Sequence, residues 1–307
     1  MKREAVRFEA ADGSALVGVL RRPDEGGATA VITVHGWGAN RIGPNNLLSD
    51  FCRRLCEEGF TTLCFDLRGR GDSGGDPASV TIDDMMDDVV KAAELVRKAG
   101  AERVVLFGLC SGGNAALGAA TCGAEPDAVV AVSTFPFVPI EDVKAGVKKT
   151  SSYLKGYLLK LFRLSTWRKL FRGAVSFKGV FRTLFGHFSK AERKADRALK
   201  DTRRDLPEAL KGFRGEIVHV YASADPESAP SRDYFERFYR RRGLRASFHT
   251  IERTNHNFYG LEARRELFAL LLERPPAGRT PLRDRRPAPP ASSCPRAPSP
   301  ATPRSWA

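Results

Sequence analysis

Val104-Val105-Leu106-Phe107-Gly108-Leu109-Cys110-Ser111-Gly112-Gly113 is an apolar run that ends in a glycine-flanked cysteine and continues into a stretch of small residues. Its first half reads as a buried strand and Asn114 to Thr121 as a helix, and the junction between them matches the pattern G-x-nucleophile-x-G. In that pattern the nucleophile sits on a strained strand-to-helix turn. The residues two before and two after it must be small for the turn to close. Counting from Gly108 and Gly112 places Cys110 at the nucleophile position. Centring on Ser111 instead puts Leu109 and Gly113 at the small positions, and Leu109 carries a branched side chain where the turn has least room; Ser111 stays as the alternative nucleophile. Because a free Cys is also a common apolar filler, the turn gains meaning only from partners elsewhere in the chain.

Outward from this stretch, Ala28 to Val34, Thr61 to Phe65, Val104 to Leu109 and Val129 to Val132 are short apolar runs without alternation. Helical segments separate them at Leu47 to Glu58, Ile82 to Lys98 and Asn114 to Thr121, which is the rhythm of a buried parallel sheet. Thr81, followed by Asp83, Asp84, Asp87 and Asp88, reads as the start of the second helix, where carboxylates suit the dipole. Ahead of this, Glu4 to Ala10 and Ala15 to Arg22 alternate around Asp12-Gly13-Ser14 as an antiparallel hairpin does. Beyond Pro136 the strand rhythm breaks, then resumes with Ile217 to Tyr221, a helix from Arg232 to Arg242, a strand from Ser247 to Ile251 and a helix from Leu261 to Glu273. The expectation is an α/β fold, a mostly parallel sheet with helices on both faces and one helical insertion: core at residues 1–135 and 213–273, a basic cap at 136–212, and a disordered tail at 274–307.

Two further groups complete the chemistry by chain order. A nucleophile elbow calls for an acid after a later strand and a histidine after the last one. The strand Ile217 to Tyr221 ends in Ala222-Ser223-Ala224-Asp225, and the strand ending at Ile251 leads to Thr254-Asn255-His256-Asn257, so Asp225 and His256 fall at carboxyl ends, where sites in open α/β sheets lie. His256 is then the base for Cys110, and Asp225 fixes its tautomer. Asp205 is the weaker candidate for the acid, since no strand precedes it; His187 reads as cap surface and His219 as strand interior. Val34-His35-Gly36-Trp37-Gly38 follows the first parallel strand, and the backbone N–H groups of Trp37 and Ser111 are the expected oxyanion donors.

The 307-residue chain has a formal net charge of +14, and its location is informative. Lys144 to Asp205 holds 18 Lys/Arg against four acidic residues, a local excess as large as that of the whole chain. Ten of the 19 prolines lie in Arg274 to Ala307, where hydrophobic periodicity stops. The six cysteines show no framework spacing and Met1-Lys2-Arg3-Glu4 precedes no apolar segment, so a reduced, cytoplasmic setting is expected. No run approaches the roughly 18 apolar residues of a membrane span. No groove-reading motif accompanies the charge, which argues against nucleic acid.

Together His35-Gly36-Trp37-Gly38, Phe65-Asp66-Leu67-Arg68-Gly69-Arg70-Gly71-Asp72-Ser73, the elbow, Asp225 and His256 resemble the α/β-hydrolases over roughly Phe8 to Glu273. The Asp66 to Ser73 run is similar to the serine aminopeptidase and monoacylglycerol lipase-like branch. That branch carries serine in the elbow, whereas a Gly-x-Cys-x-Gly elbow resembles the shorter dienelactone hydrolases. Tyr153-Leu154-Lys155-Gly156-Tyr157 and Leu164 to Gly173 resemble the cap of α/β-hydrolases associated with exosortase and exopolysaccharide loci.

The resulting expectation is an ester or thioester hydrolase, or an acyl transferase, working through acyl-Cys110 on a small-molecule or carrier-bound acyl substrate, with no metal or organic cofactor. Tyr153 to Phe188 alternates aromatic and basic residues at helical spacing. That spacing fits apolar faces packed over the site, recognition of an anionic or carrier-bound acyl substrate, or peripheral contact with an anionic membrane. The alternative in another class is a weakly active module that binds membrane or a biosynthetic partner through the basic cap.

Overall fold

The computed structural model describes residues 1–136 and 202–273. Eight strands form one sheet in the order β1-β2-β4-β3-β5-β6-β7-β8. The strands are β1 (Lys2–Glu9), β2 (Ala15–Arg22), β3 (Thr29–Val34), β4 (Thr61–Asp66), β5 (Arg103–Leu109), β6 (Ala128–Val132), β7 (Glu216–Ala222) and β8 (Ser247–Ile251). Strand β2 pairs antiparallel with β1 and β4, and every pairing from β4 through β8 is parallel. The burial of each strand follows its sequence texture: β3 and β4 are buried at every position, whereas the edge strand β1 alternates between exposed and half-buried residues. Covered on both faces, the central strands need apolar side chains at every position.

The helices are α1 (Leu47–Glu57), α2 (Ile82–Lys98), α3 (Ser111–Ala119), the one-turn α4 (Leu206–Ala209), α5 (Ser228–Arg242) and α6 (Leu261–Glu273). One core layer joins Met86, Val89 and Val96 of α2, Leu117 of α3 and Phe235 of α5 to the sheet. The opposite layer joins Leu48, Phe51 and Leu55 of α1 and Leu267 and Phe268 of α6. Each such side chain contributes roughly 1.5–3 kcal/mol by leaving water, so two filled layers hold the strand ends at fixed positions. Thr81 and Asp84 close a reciprocal capping box at the start of α2, with Asp84 N–H donating to Thr81 Oγ1 at 3.2 Å and Thr81 N–H to Asp84 Oδ2 at 2.8 Å. This satisfies helix donors that otherwise lack partners.

Residues 202–212, read from sequence as part of the insertion, belong to the core. Leu206 and Leu210 are buried in the α2 layer, and Arg204 Nη2 donates to Asp87 Oδ1 at 2.7 Å. The apolar pair four residues apart is too short a periodic signal to read without knowing the surface it meets. Residues 137–201 of the basic cap expected at 136–212, with the amphipathic stretch Tyr153 to Phe188 and His187, and the tail at 274–307 lie outside the described residues. Among the described residues, no helix is long and apolar enough to cross a membrane.

Candidate active site

Strand β5 ends at Leu109 and helix α3 begins at Ser111, leaving Cys110 alone on the turn, with φ 60° and ψ −128°. A non-glycine residue held there stores roughly 1–3 kcal/mol of backbone strain. Packing enforces the turn: a Cβ on Gly108 would lie 2.4 Å from Gly112 O, and one on Gly112 would lie 2.3 Å from Val34 O. Strand, turn and helix therefore approach one another as closely as backbones can. The Cys110 N–H donates to Val132 O of β6 at 2.8 Å, fixing the turn laterally. Its side chain sits at the start of α3. Cys52, Cys56, Cys64 and Cys122 are buried free thiols, whereas Cys110 is half-exposed.

The loops after β7 and β8 bring Asp225 and His256 to this turn. His256 Nδ1 lies 2.7 Å from Asp225 Oδ2, and the ring lines the same cleft as Cys110. The hydrogen bond to Asp225, followed by the effect of the neighbouring Cys110 side chain, pushes the His256 pKa up to about 10. Asp225 Oδ1 accepts from Glu227 N–H at 3.1 Å, so both carboxylate oxygens are engaged and the acid is held rigidly. On another side of the imidazole lies Phe135, stacked with a centroid separation of 5.7 Å and an interplanar angle of 18°. Asn114 of α3 clamps Phe135 by its backbone: Asn114 Nδ2 donates to Phe135 O at 2.7 Å and Phe135 N–H donates to Asn114 Oδ1 at 3.2 Å. Neither residue was evident in the sequence reading, because the only signal was a polar residue in a small-residue helix.

The loop after β3 supplies the opposite wall. His35 is buried, and its Nε2 accepts from Leu67 N–H at 3.1 Å while Nδ1 lies 2.8 Å from Gly36 O. One nitrogen accepts and the other faces a carbonyl, so the ring is neutral and structural, and burial lowers its pKa. The Trp37 N–H donates to Ser111 Oγ at 2.6 Å. The Ser111 side chain thus holds the loop after β3. Of the remaining polar residues weighed from sequence, Asp205 caps α4 through Glu208 N–H at 3.1 Å. His219 lies buried within β7, with Nε2 3.0 Å from Tyr239 OH and its pKa pushed down by burial to about 3.

These walls enclose a cleft of about 640 Å³, lined by Gly36, Arg70, Leu109, Cys110, His256 and Asn257 among others. A half-exposed thiol, an imidazole with a raised pKa, a carboxylate behind it and a helix start meet at one end. This arrangement can attack an electrophilic carbon and return a proton to the departing group.

Residues 31–270 match the alpha/beta hydrolase family. The chain belongs to that family. Solved structures similar to this hydrolase include an esterase of Pyrococcus furiosus, with TM-score 0.60 and 16% identity over 89% of this chain and 90% of that one. The alpha/beta hydrolase GrgF of Penicillium gives TM-score 0.59 and 18% identity over 89% and 99%, and a dienelactone hydrolase of Anabaena variabilis gives 0.56 and 18% over 89% and 95%. Among curated sequences, the uncharacterized protein YfhR of Salmonella typhimurium is 36% identical over 124 residues, 38% of this chain and 40% of that relative. The aligned part is thus under half of each.

Proposed function

We propose that this hydrolase cleaves an ester or thioester, or transfers its acyl group, through an acyl-Cys110 intermediate with His256 and Asp225 as partners. The observation that carries the reading is the placement of one imidazole between Asp225, at 2.7 Å, and the Cys110 side chain. In the first half-reaction the Cys110 thiolate attacks the acyl carbon, the C–S bond forms and the carbonyl electrons move to oxygen. Collapse expels the alcohol or thiol, which takes the proton held on His256. Water or a bound acceptor then attacks, gives its proton to His256, and Cys110 leaves as thiolate.

The oxyanion is received by the Ser111 and Trp37 backbone N–H groups. In the resting enzyme the Trp37 N–H is held by Ser111 Oγ, so substrate gains that donor when the hydroxyl rotates away, a ps–ns event for an unconstrained side chain. Losing one such donor costs about 10² to 10³ in rate. An esterase and a dienelactone hydrolase among the structural relatives are consistent with acyl-oxygen chemistry, and the cysteine extends it to thioesters.

The test is peptide-level mass spectrometry after mixing the protein with short- and long-chain activated acyl thioesters. An acyl adduct on Cys110 that is absent in Cys110→Ala supports the reading. An adduct on Ser111 moves the nucleophile, and no adduct or turnover across the panel favours the binding-module alternative.

The pH dependence follows from the same pair. Folding raises the His256 pKa from the usual 6.5 to about 10. The pair's contribution to stability is therefore complete below about pH 6.5 and is lost as pH rises through about 10. Leaving-group protonation fails over the same interval, so kcat/KM has an alkaline limb near pH 10. Asp225→Asn removes the largest cause of the shift, and the limb is expected to move acidward by at least about one pH unit. A pH–rate profile with an unmoved limb contradicts the assignment of that limb to His256.

A further inference from the structure

Three arginines surround the loop that follows β4, and two are neutralised. Arg41 pairs with Asp66 and with Asp72, the latter at 2.6 Å. Arg68 pairs with Asp88 at 2.7 Å, Asp12 at 3.1 Å and Asp84 at 3.4 Å. Arg70 differs from both. Its Nε donates to Trp37 O at 2.6 Å, and its Nη1 to Gly69 O at 2.9 Å and Pro77 O at 3.4 Å. Its guanidinium lies over the Trp37 ring, 5.5 Å from the centroid. Every one of these partners is a neutral carbonyl or a ring, and among the described residues no carboxylate balances its charge. Burial alone acts on the group, pulling its pKa below the usual arginine value.

Carbonyl acceptors orient a guanidinium without cancelling its charge, and a partly desolvated cation attracts an oxyanion more strongly than one in water. Arg70 lines the same cleft as Cys110 and His256. Its stem is fixed to the loop that carries Trp37, so the charge is preorganised rather than searching from a flexible side chain. We infer that Arg70 anchors an oxyanion on the substrate, so that the preferred ester or thioester carries a carboxylate or phosphate within reach of the Cys110 sulfur. This inference rests on Cys110 as the reactive group of the cleft, but its test needs no turnover.

The probes are iodoacetate and iodoacetamide, nearly isosteric reagents that differ by one negative charge. With either, the Cys110 thiolate displaces iodide and one C–S bond forms. In the native protein the ratio of the iodoacetate to the iodoacetamide rate at Cys110 is expected to exceed the ratio for glutathione by about tenfold or more, the effect of one charge-assisted hydrogen bond. Arg70→Met keeps an apolar stem over Trp37 and is expected to bring the ratio down to that of glutathione; Arg70→Lys restores part of it. The iodoacetamide rate in the Met variant reads any damage to the Trp37 loop separately from loss of charge. Glutarate or inorganic phosphate slows the iodoacetate reaction, and whichever protects at lower concentration identifies the oxyanion. A native ratio equal to that of glutathione, or one unmoved by Arg70→Met, overturns the inference while leaving the acyl-Cys110 reading intact. Slow alkylation by both reagents at Cys110 counts instead against that reading.

Discussion

His256→Ala is expected to lower turnover of an activated thioester by about 10⁴-fold or more, and Cys110→Ala by a similar factor. The double variant is expected to be no slower than either single one. The reason is geometric: the imidazole is held by Asp225 at 2.7 Å and lines the same cleft as Cys110, so the three groups are expected to act as a unit. A nucleophile without its proton partner, and a base without its nucleophile, lose the same pathway. Steady-state rates of the two single variants and the double variant form the cycle. His256→Ala also removes the positive partner of the thiolate, so alkylation of Cys110 by iodoacetamide at neutral pH slows as well. Multiplicative losses in the double variant, or alkylation at the native rate in His256→Ala, count against the pair.

The parallel sheet was legible because its chemistry is repetitive. Runs such as Thr29–Val34 and Thr61–Asp66 are buried on both faces, and only unbroken apolar sequence survives that environment. That Asp225 and His256 would come together was legible for a different reason: strands β7 and β8 end within a few residues of them, and the parallel topology carries all such ends to one edge. Chain order was enough, without any distance.

Helix boundaries were less legible. Helix α3 was expected from Asn114 but begins at Ser111, because Gly112 and Gly113 are poor helix formers in isolation. Here the backbone contacts to Val34 and Gly108 require them. Helix α5 was expected from Arg232 and begins at Ser228; Pro230 reads as a breaker in sequence, yet a first helical turn tolerates it. The distinctive features of the site were out of reach for a shared reason. The Ser111 hydroxyl on the Trp37 N–H, the Phe135 ring on His256 and the unbalanced Arg70 all depend on which neighbours three-dimensional packing supplies. In sequence, Arg70 is indistinguishable from Arg68, although Arg68 is almost fully buried among carboxylates.

Gly108→Ala carries the largest expected cost in stability. The added Cβ would sit 2.4 Å from Gly112 O and 2.5 Å from Gly113 Cα, and both obstacles are backbone. A side chain in the way could change rotamer, but here α3 and β5 must part by about 1 Å to restore ordinary contact. Overpacking a core costs about 1–3 kcal/mol even where side chains can yield, so this change is expected at the top of that range, about 3 kcal/mol. For a domain of this size that corresponds to a drop in Tm of about 6–12 °C. Gly212→Ala is the matched control, since a Cβ there meets nothing within 4 Å. Thermal and denaturant unfolding of the two variants separate loss of packing from the general effect of replacing glycine. The displaced elbow also moves the Cys110 sulfur away from His256, so activity is expected to fall even at temperatures where the variant is folded. Native stability in Gly108→Ala would mean that the close approach of β5 and α3 is not what holds Cys110 in its strained conformation.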